Sequence, residues 1–207
     1  MPSKIFQYLG MLVFLLSILV VAGLFTEPNP DHPSLNETSA EPDLYLSNVR
    51  HYAKEDLAER SLYHLNKAIE SIRKIETDID INSQQKVDEA IVHLEMIYDE
   101  IATDSLVSSD LNKAFEFVLN ALTLAELRVS ERYAESNNPD QAKVALKYAQ
   151  MHLKSASQYS ELPNMNLERH IYYEIDSLIL SEAMAPVLIA EKIDHFISEM
   201  DTLMQQD

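Results

Sequence analysis

Glycine is almost absent from this sequence, and its two copies, Gly10 and Gly23, both lie near the amino terminus. Glycine reaches positive φ at little steric cost, so phosphate-binding loops, tight hairpin turns and nucleophile elbows depend on it. Residues 24–207 therefore offer no P-loop and no dinucleotide-binding turn. Sheet-rich folds are also disfavoured, because their turns rely on glycine. We expect an all-α protein.

Cysteine is missing altogether, and basic residues are scarce. The lack of cysteine excludes disulfides, thiol chemistry, haem attachment through cysteine and iron–sulfur clusters. The sequence has only 16 lysines and arginines but 34 acidic residues, which gives a net charge of −18. Such a field repels nucleic acid, so we expect no nucleic-acid partner. An acidic surface supports solubility, and it also suits a basic protein partner.

Charged residues are absent between Ile5 and Phe25, a run of 21 residues. About 20 apolar residues cross a bilayer as a helix, so residues 1–25 are predicted to be a membrane anchor that spans at residues 5–25. Lys4 precedes the run, whereas Glu27 and Asp31 follow it. The positive-inside rule then predicts a single-pass protein with a cytoplasmic amino terminus and a periplasmic or extracellular bulk. A cleaved signal peptide is the alternative interpretation.

Two further regions follow the predicted anchor. Residues 26–42 contain four prolines and few apolar residues, which is typical of a flexible linker. Residues 43–207 carry apolar positions at three- and four-residue spacing, and 46% of the whole chain is hydrophobic. Short polar joints between these segments predict an antiparallel bundle of about five helices, arranged as helical hairpins.

The joints and the central helix can be predicted from local patterns. A first helix is expected from about residue 44 to 77, followed by a second helix capped by Asn82 or Ser83. A third helix, capped by Ser108 or Ser109, is apolar almost all round between residues 114 and 125, so it is predicted to be central. The segment Asn137-Asn138-Pro139-Asp140 is the strongest turn signal, and an asparagine there can end the helix in the left-handed conformation in place of glycine.

The remaining segments follow that turn. A fourth helix is predicted after Pro139, which suits a first helical position. The last helical segment, from about residue 166 to 204, contains Pro186, which should kink or split it.

Histidines invite a search for a metal site. Glu191, His195 and Glu199 follow one another at four-residue spacing and would share one helical face. The sequence lacks the Glu-x-x-His pairs of di-iron bundles and the His-Glu-x-x-His zinc motif. These three residues are therefore only weak metal candidates, and we predict no metal, no cofactor and no catalytic residues.

Two other groups of residues are candidates for binding or for a buried contact. His152 and Glu182 each fall within a predicted apolar stripe, and a hydrogen bond between them would satisfy both if their helices pack together. Tyrosine combines an apolar ring with a polar hydroxyl, which suits interfaces. The group His170, Tyr172 and Tyr173 is therefore the predicted partner-binding patch.

These observations favour a non-catalytic, membrane-tethered helical bundle that mediates protein–protein interaction. Its expected role is that of an accessory or scaffold subunit of a membrane or envelope complex. The alternative is a ligand- or metal-binding sensor, with a small-molecule pocket in the helical core near His152 and Glu182. A filled core would favour the first function, and a polar-lined pocket would favour the second.

Overall fold

The computed structural model describes residues 39–76, 79–181 and 185–205, and within them the chain is helical with no strands. Seven helices are described there: α1 (Glu41–Lys54), α2 (Ala58–Glu76), α3 (Ile81–Ala102), α4 (Ser108–Glu135), α5 (Pro139–Ala156), α6 (Leu162–Leu180) and α7 (Pro186–Leu203). Consecutive helices contact each other, and α4 also contacts α7. The all-α prediction is confirmed. The predicted membrane span lies outside the described residues, among which no helix is long and apolar enough to cross a bilayer.

The central position predicted for one helix is confirmed by α4. Nearly every residue from Leu111 to Ser130 is buried, including Phe115 and Leu122. Helices α3, α5 and α7 pack around α4, and α1 touches it. A helix that is apolar on several faces can only be stable with neighbours on several sides.

The expected number of about five helices is wrong for the described residues, because the predicted first helix is two helices and the last predicted segment is divided at Pro186. Helix α1 ends at Lys54, and Asp56 follows with a φ of 56°. The amide of Leu57 donates to the carbonyl of Tyr52, and the amide of Asp56 donates to that of Ala53. This is a Schellman motif, which ends a helix with one left-handed residue. Aspartate tolerates that conformation better than most residues, so no glycine marks the break.

The same motif ends two other helices. Asp104 follows α3 with a φ of 55°, and Asn137 follows α4 with a φ of 58°. In both, the amide of the following residue donates to the carbonyl five positions earlier. The amide of Ser105 donates to Glu100, and that of Asn138 donates to Tyr133. The predicted left-handed asparagine is confirmed, and it is Asn137. Aspartate and asparagine thus make the three left-handed turns found in the described part of this glycine-free domain.

The predicted amino-terminal caps of two helices are wrong. Helix α3 is capped by Asp80, whose carboxylate accepts hydrogen bonds from the amides of Asn82 and Ser83. Asp80 lies before both expected caps, at the position from which a side chain can accept hydrogen bonds from the free amides of the first turn. Helix α4 has Val107 at its cap position and no side-chain cap.

Prolines mark four helix starts, including that of α6, where Pro163 lies in the first turn. Pro139 follows Asn138, whose side chain accepts a hydrogen bond from the amide of Gln141. Pro186 is the first residue of α7, so the last predicted segment is divided into α6 and α7. Pro42 lies in the first turn of α1, so this helix begins within the predicted linker. Proline suits a first turn because its missing amide hydrogen would have no partner there.

The contacts between α4 and α5 show that these two helices are antiparallel. The hydroxyl of Ser130 donates to the carbonyl of Ala142 at 2.8 Å. Nearer the start of α4, Glu126 lies close enough to His152 for their charges to interact. As the α4 position moves towards the amino terminus, its partner on α5 moves towards the carboxyl terminus, as expected for an antiparallel hairpin.

Replacement of Asn137 tests the left-handed turn between α4 and α5. We expect Asn137→Ala to lower the free energy of unfolding by about 1 kcal/mol, because a Cβ without a polar side chain is disfavoured at positive φ. Asn137→Gly should cause no such loss. Chemical denaturation with circular dichroism measures the difference. Ser136→Ala is the control, since Ser136 has an ordinary φ of −78°; equal losses for the alanine and glycine variants of Asn137 would contradict this account.

Candidate functional site

A buried polar cluster joins the start of the described chain to the middle of the bundle. It consists of Ser39, Asp43 of α1, Glu126 of α4 and His152 of α5, and we call it the His152 cluster. Nδ1 of His152 lies 2.6 Å from Oδ2 of Asp43, and the hydroxyl of Ser39 donates to Oε1 of Glu126 at 2.8 Å. His152 is fully buried, and Ser39 and Glu126 are nearly so. The cluster therefore fastens residues 39–43 onto α4 and α5.

The protonation of the His152 cluster follows from burial and mutual attraction. Burial alone would raise the pKa of Asp43, but attraction to His152 and the hydrogen bond between them outweigh it and hold this pKa below its ordinary value. Burial alone would lower the pKa of His152, but Asp43, with a smaller contribution from Glu126, raises it instead. Both shifts stabilise the charged pair of aspartate and imidazolium relative to the neutral pair.

Glu126 behaves differently from Asp43. Burial raises the pKa of Glu126 to about 6, despite the opposing effects of His152 and Ser39. Its carboxyl group therefore changes charge near pH 6, inside a core where an uncompensated charge is costly. The imidazolium of His152 is the group that moderates this cost.

The sequence singled out His152 correctly as a polar residue within an apolar face, and the structure gives it a partner that was not considered. Asp43 lies 109 residues away in the chain. Glu182, the predicted partner, lies outside the described residues, so that pairing stays a prediction. Nε2 of His152 and Oδ1 of Asp43 have no hydrogen-bond partner among the described residues.

A second buried polar cluster connects α4 with the start of α6. The side-chain amide of Asn120 donates to the carboxylate of Glu168 at 3.0 Å, and the side-chain amide of Asn164 donates to the carboxylate of Glu116 at 2.8 Å. The hydroxyl of Ser160 lies 2.7 Å from both carboxylate oxygens of Glu168. Glu168 is fully buried, and these donors replace the water that its carboxylate gives up.

The predicted tyrosine patch lies on α6 beside a cleft of about 210 Å³ between α5 and α6, which we call the α5–α6 cleft. The rings of Tyr172 and Tyr173 meet edge to face, with 5.4 Å between their centroids. Tyr173 is 67% exposed, and Tyr172 is partly buried. The cleft is lined by Leu153, Lys154 and Ser157 of α5 and by Glu168, Arg169, Tyr172 and Tyr173 of α6.

His170, the third member of the predicted patch, is exposed and faces α7 rather than the cleft. Its Nε2 lies 4.0 Å from Oε1 of Glu199. His195 of α7 approaches the same oxygen at 3.7 Å. Of the three weak metal candidates, His195 and Glu199 therefore contact each other. Glu191 lies earlier on the same helix. Within the described residues, no three or more His, Cys, Asp and Glu side chains form a group that could hold a metal ion.

A second cleft, of about 260 Å³, lies between the α1–α2 and α3–α4 connections. It carries side chains of both signs, with Arg50 and Lys54 close to Asp56 and Asp104. Neither cleft includes the His152 cluster.

Comparison of the chain with protein-family models, with curated proteins and with solved structures finds no match.

Replacement of Glu126 by glutamine tests the raised pKa of this group. Between its ordinary pKa of 4.5 and about 6, the unfolded chain ionises Glu126 while the folded chain keeps it protonated. The stability that Glu126 contributes is therefore complete below pH 4.5 and is lost as the pH rises through 6. Relative to Glu126→Gln, the wild type should lose about 2 kcal/mol of unfolding free energy between pH 4 and pH 7.

Denaturant unfolding at a series of pH values measures this difference. Both proteins keep Asp43 and His152, but Glu126→Gln also removes the contribution of Glu126 to the pKa of His152, so the comparison reports Glu126 together with its interaction with His152. Glu174→Gln, at an exposed position of α6, is the matched control and should leave the pH profile unchanged. A constant difference between the wild type and Glu126→Gln over this range would contradict the assignment.

Proposed function

We propose that this protein is a non-catalytic, membrane-tethered helical bundle that binds a protein partner as an accessory or scaffold subunit of a membrane or envelope complex. The observation that carries the proposal is the tyrosine pair at the α5–α6 cleft. Tyr173 is 67% exposed although large aromatic side chains gain most from burial. Exposed tyrosines beside a cleft are typical of protein interfaces, where tyrosine is enriched.

The attachment of the linker to the bundle supports the tethering role. The uncharged run at residues 5–25 supplies the proposed anchor, with the amino terminus in the cytoplasm and the bundle in the periplasm or outside the cell. Ser39, the first described residue of the predicted linker, is hydrogen-bonded to Glu126 in the core. Asp43 adds its contact with His152 four residues later. A partner held on the bundle would thus be kept at the distance from the membrane that the linker allows.

The alternative, a ligand-sensing bundle with a pocket near His152, has less support. Asp43 contacts His152 and Ser39 donates to Glu126, so these polar atoms pair within the cluster, whereas Nε2 of His152 and Oδ1 of Asp43 have no partner among the described residues. The two clefts described above are at other places. We therefore favour the interaction function.

Protease accessibility tests the proposed orientation. With an epitope tag after Asp207, protease added outside intact cells or spheroplasts should remove the tag, and the protein should sediment with membranes. A matched tag before Met1 should resist the same treatment. Removal of the amino-terminal tag with protection of the carboxyl-terminal tag would contradict the orientation.

Site-specific crosslinking tests the interaction surface. A photoreactive benzoylphenylalanine at Tyr173 should yield a discrete adduct of higher mass in intact cells, because a bound partner would cover this ring. Tyr63 of α2 is the matched control, since it is 59% exposed and lies away from the cleft. Its adducts should be weak or absent.

The outcomes of the crosslinking experiment separate the proposed function from its alternative. A discrete adduct at position 173 that co-purifies in mild detergent through a carboxyl-terminal tag supports the scaffold function. No adduct at position 173, or equal adducts at positions 173 and 63, would overturn the proposed surface.

A further inference from the structure

Two cations of the α5–α6 cleft stand out in a protein with a net charge of −18. Lys154 comes from α5 and Arg169 from α6, and the packing of the two helices brings them to one cleft. Neither forms an ion pair with any other residue that the structure describes. Both are exposed, so their charges are available to a ligand.

Helix α5, which forms one side of this cleft, lies in a less acidic part of the chain than most, although residues 163–207, which include α6, carry nine acids and two bases. Residues 138–162 carry three lysines and two acids, whereas residues 80–107 carry one base and seven acids. One carboxylate, that of Glu168, lines the cleft. Its oxygens already accept hydrogen bonds from Ser160 and Asn120. The cations therefore remain the accessible charged groups of the cleft.

The other lining residues define a second part of the binding chemistry. Tyr172 and Tyr173 offer ring surface next to the two cations, and Ser157 offers a hydroxyl. A carboxylate would suit the cations, through charge-assisted hydrogen bonds. An adjacent apolar side chain would suit the rings. This combination of contacts is available from a peptide that carries acidic and apolar residues side by side.

We propose that the α5–α6 cleft binds an acidic segment of a partner protein, with Lys154 and Arg169 holding its carboxylates and the two tyrosines holding a neighbouring apolar side chain. The proposal rests on the interaction function and names the chemistry of its partner. The cleft, at about 210 Å³, is smaller than the sites of about 300–1,000 Å³ that enclose whole small molecules. It matches one or two side chains of a longer segment.

A protein segment fits the charge distribution better than an anionic bilayer does. A bilayer surface would face the acidic domain as a whole, and the net charge would repel it. An extended segment approaches only the region within a Debye length of the cleft, about 8 Å at physiological ionic strength. In the lining of the cleft, Lys154 and Arg169 are two cations against the single carboxylate of Glu168.

Peptide arrays with the full chain in mild detergent test this inference. The first array holds peptides that each combine two glutamates with one phenylalanine or leucine at varied spacing. In the second array glutamine replaces glutamate, and in the third phosphoserine replaces it. The wild type should bind the glutamate array more strongly than the other two. Lys154→Glu with Arg169→Glu should reduce that binding about tenfold or more, since both charge-assisted contacts become repulsive.

The matched control is Lys147→Glu with Lys192→Glu, which makes the same change in net charge at exposed positions outside the cleft. This variant should retain binding to within about twofold, since distant surface charges are screened. All the substituted residues are exposed, and circular dichroism of each variant verifies its fold. Equal losses in the two double variants would overturn the proposal, because net charge alone would then explain binding.

The remaining outcomes are also decisive. Equal binding of the glutamate and glutamine arrays, or no binding to the glutamate array, would overturn the acidic-segment proposal. Preference for the phosphoserine array would overturn the assignment to carboxylates. In each case a discrete crosslink at position 173 in cells would leave the interaction function intact, so the two proposals can fail separately.

Discussion

Helix α4 is buried along most of its length, and its polar side chains must find partners inside the bundle. Glu116, Asn120, Thr123, Glu126 and Ser130 are all buried. On a helix of 3.6 residues per turn, these positions fall within about 120° of one another. The central helix thus carries a buried polar stripe on one side. An unpartnered polar group there would cost its full desolvation energy, so each of these residues constrains what can pack against it.

The partners along the polar stripe of α4 belong to different parts of the chain. Glu116 and Asn120 meet α6, Glu126 meets Ser39, and Ser130 meets the first turns of α5. Thr123 alone is satisfied by its own helix, through the carbonyl of Leu119. Hydrophobic contacts would allow a helix to slide or rotate with modest loss, whereas a missed hydrogen bond to a buried carboxylate is expensive. The stripe therefore favours one register of the neighbouring helices.

The local features of the fold could be predicted from single residues and short patterns. The lack of glycine predicted helices, Asn137 predicted the α4–α5 turn, and Pro186 predicted a break. Asp56 could not be found in this way, because aspartate is common inside helices and enters the left-handed conformation only when the surrounding contacts demand it. The cap of α3 was missed for a similar reason. Asp80 and Asn82 both suit an N-cap, and which of them caps the helix depends on the residue at which the helix begins.

The candidate sites were predictable to a smaller extent, because they depend on contacts between distant residues. His152 was recognisable as a polar residue on an apolar face, but its partner Asp43 is 109 residues away. A signal for Glu116 and Glu126 was present, since each lies within a nearly continuous apolar segment where a carboxylate requires a partner. The tyrosines of the α5–α6 cleft could be predicted as an interface patch, but its cations could not. Lys154 and Arg169 belong to different helices, and only the packing of those helices brings the two charges together.

The two buried clusters also limit how the α5–α6 cleft can respond to a ligand. Its α6 wall is attached to α4 through Glu168 and Asn120, and its α5 wall carries His152, which is attached to α1. Movement of either wall would expose or separate buried charged groups, at a cost of several kcal/mol. The side chains at the rim are free of this constraint, because Lys154, Arg169 and Tyr173 are exposed. A ligand would therefore meet a fixed backbone with adjustable side chains, which reduces the conformational entropy lost on binding. This favours recognition of a short segment by a preformed cleft over a mechanism in which the helices separate.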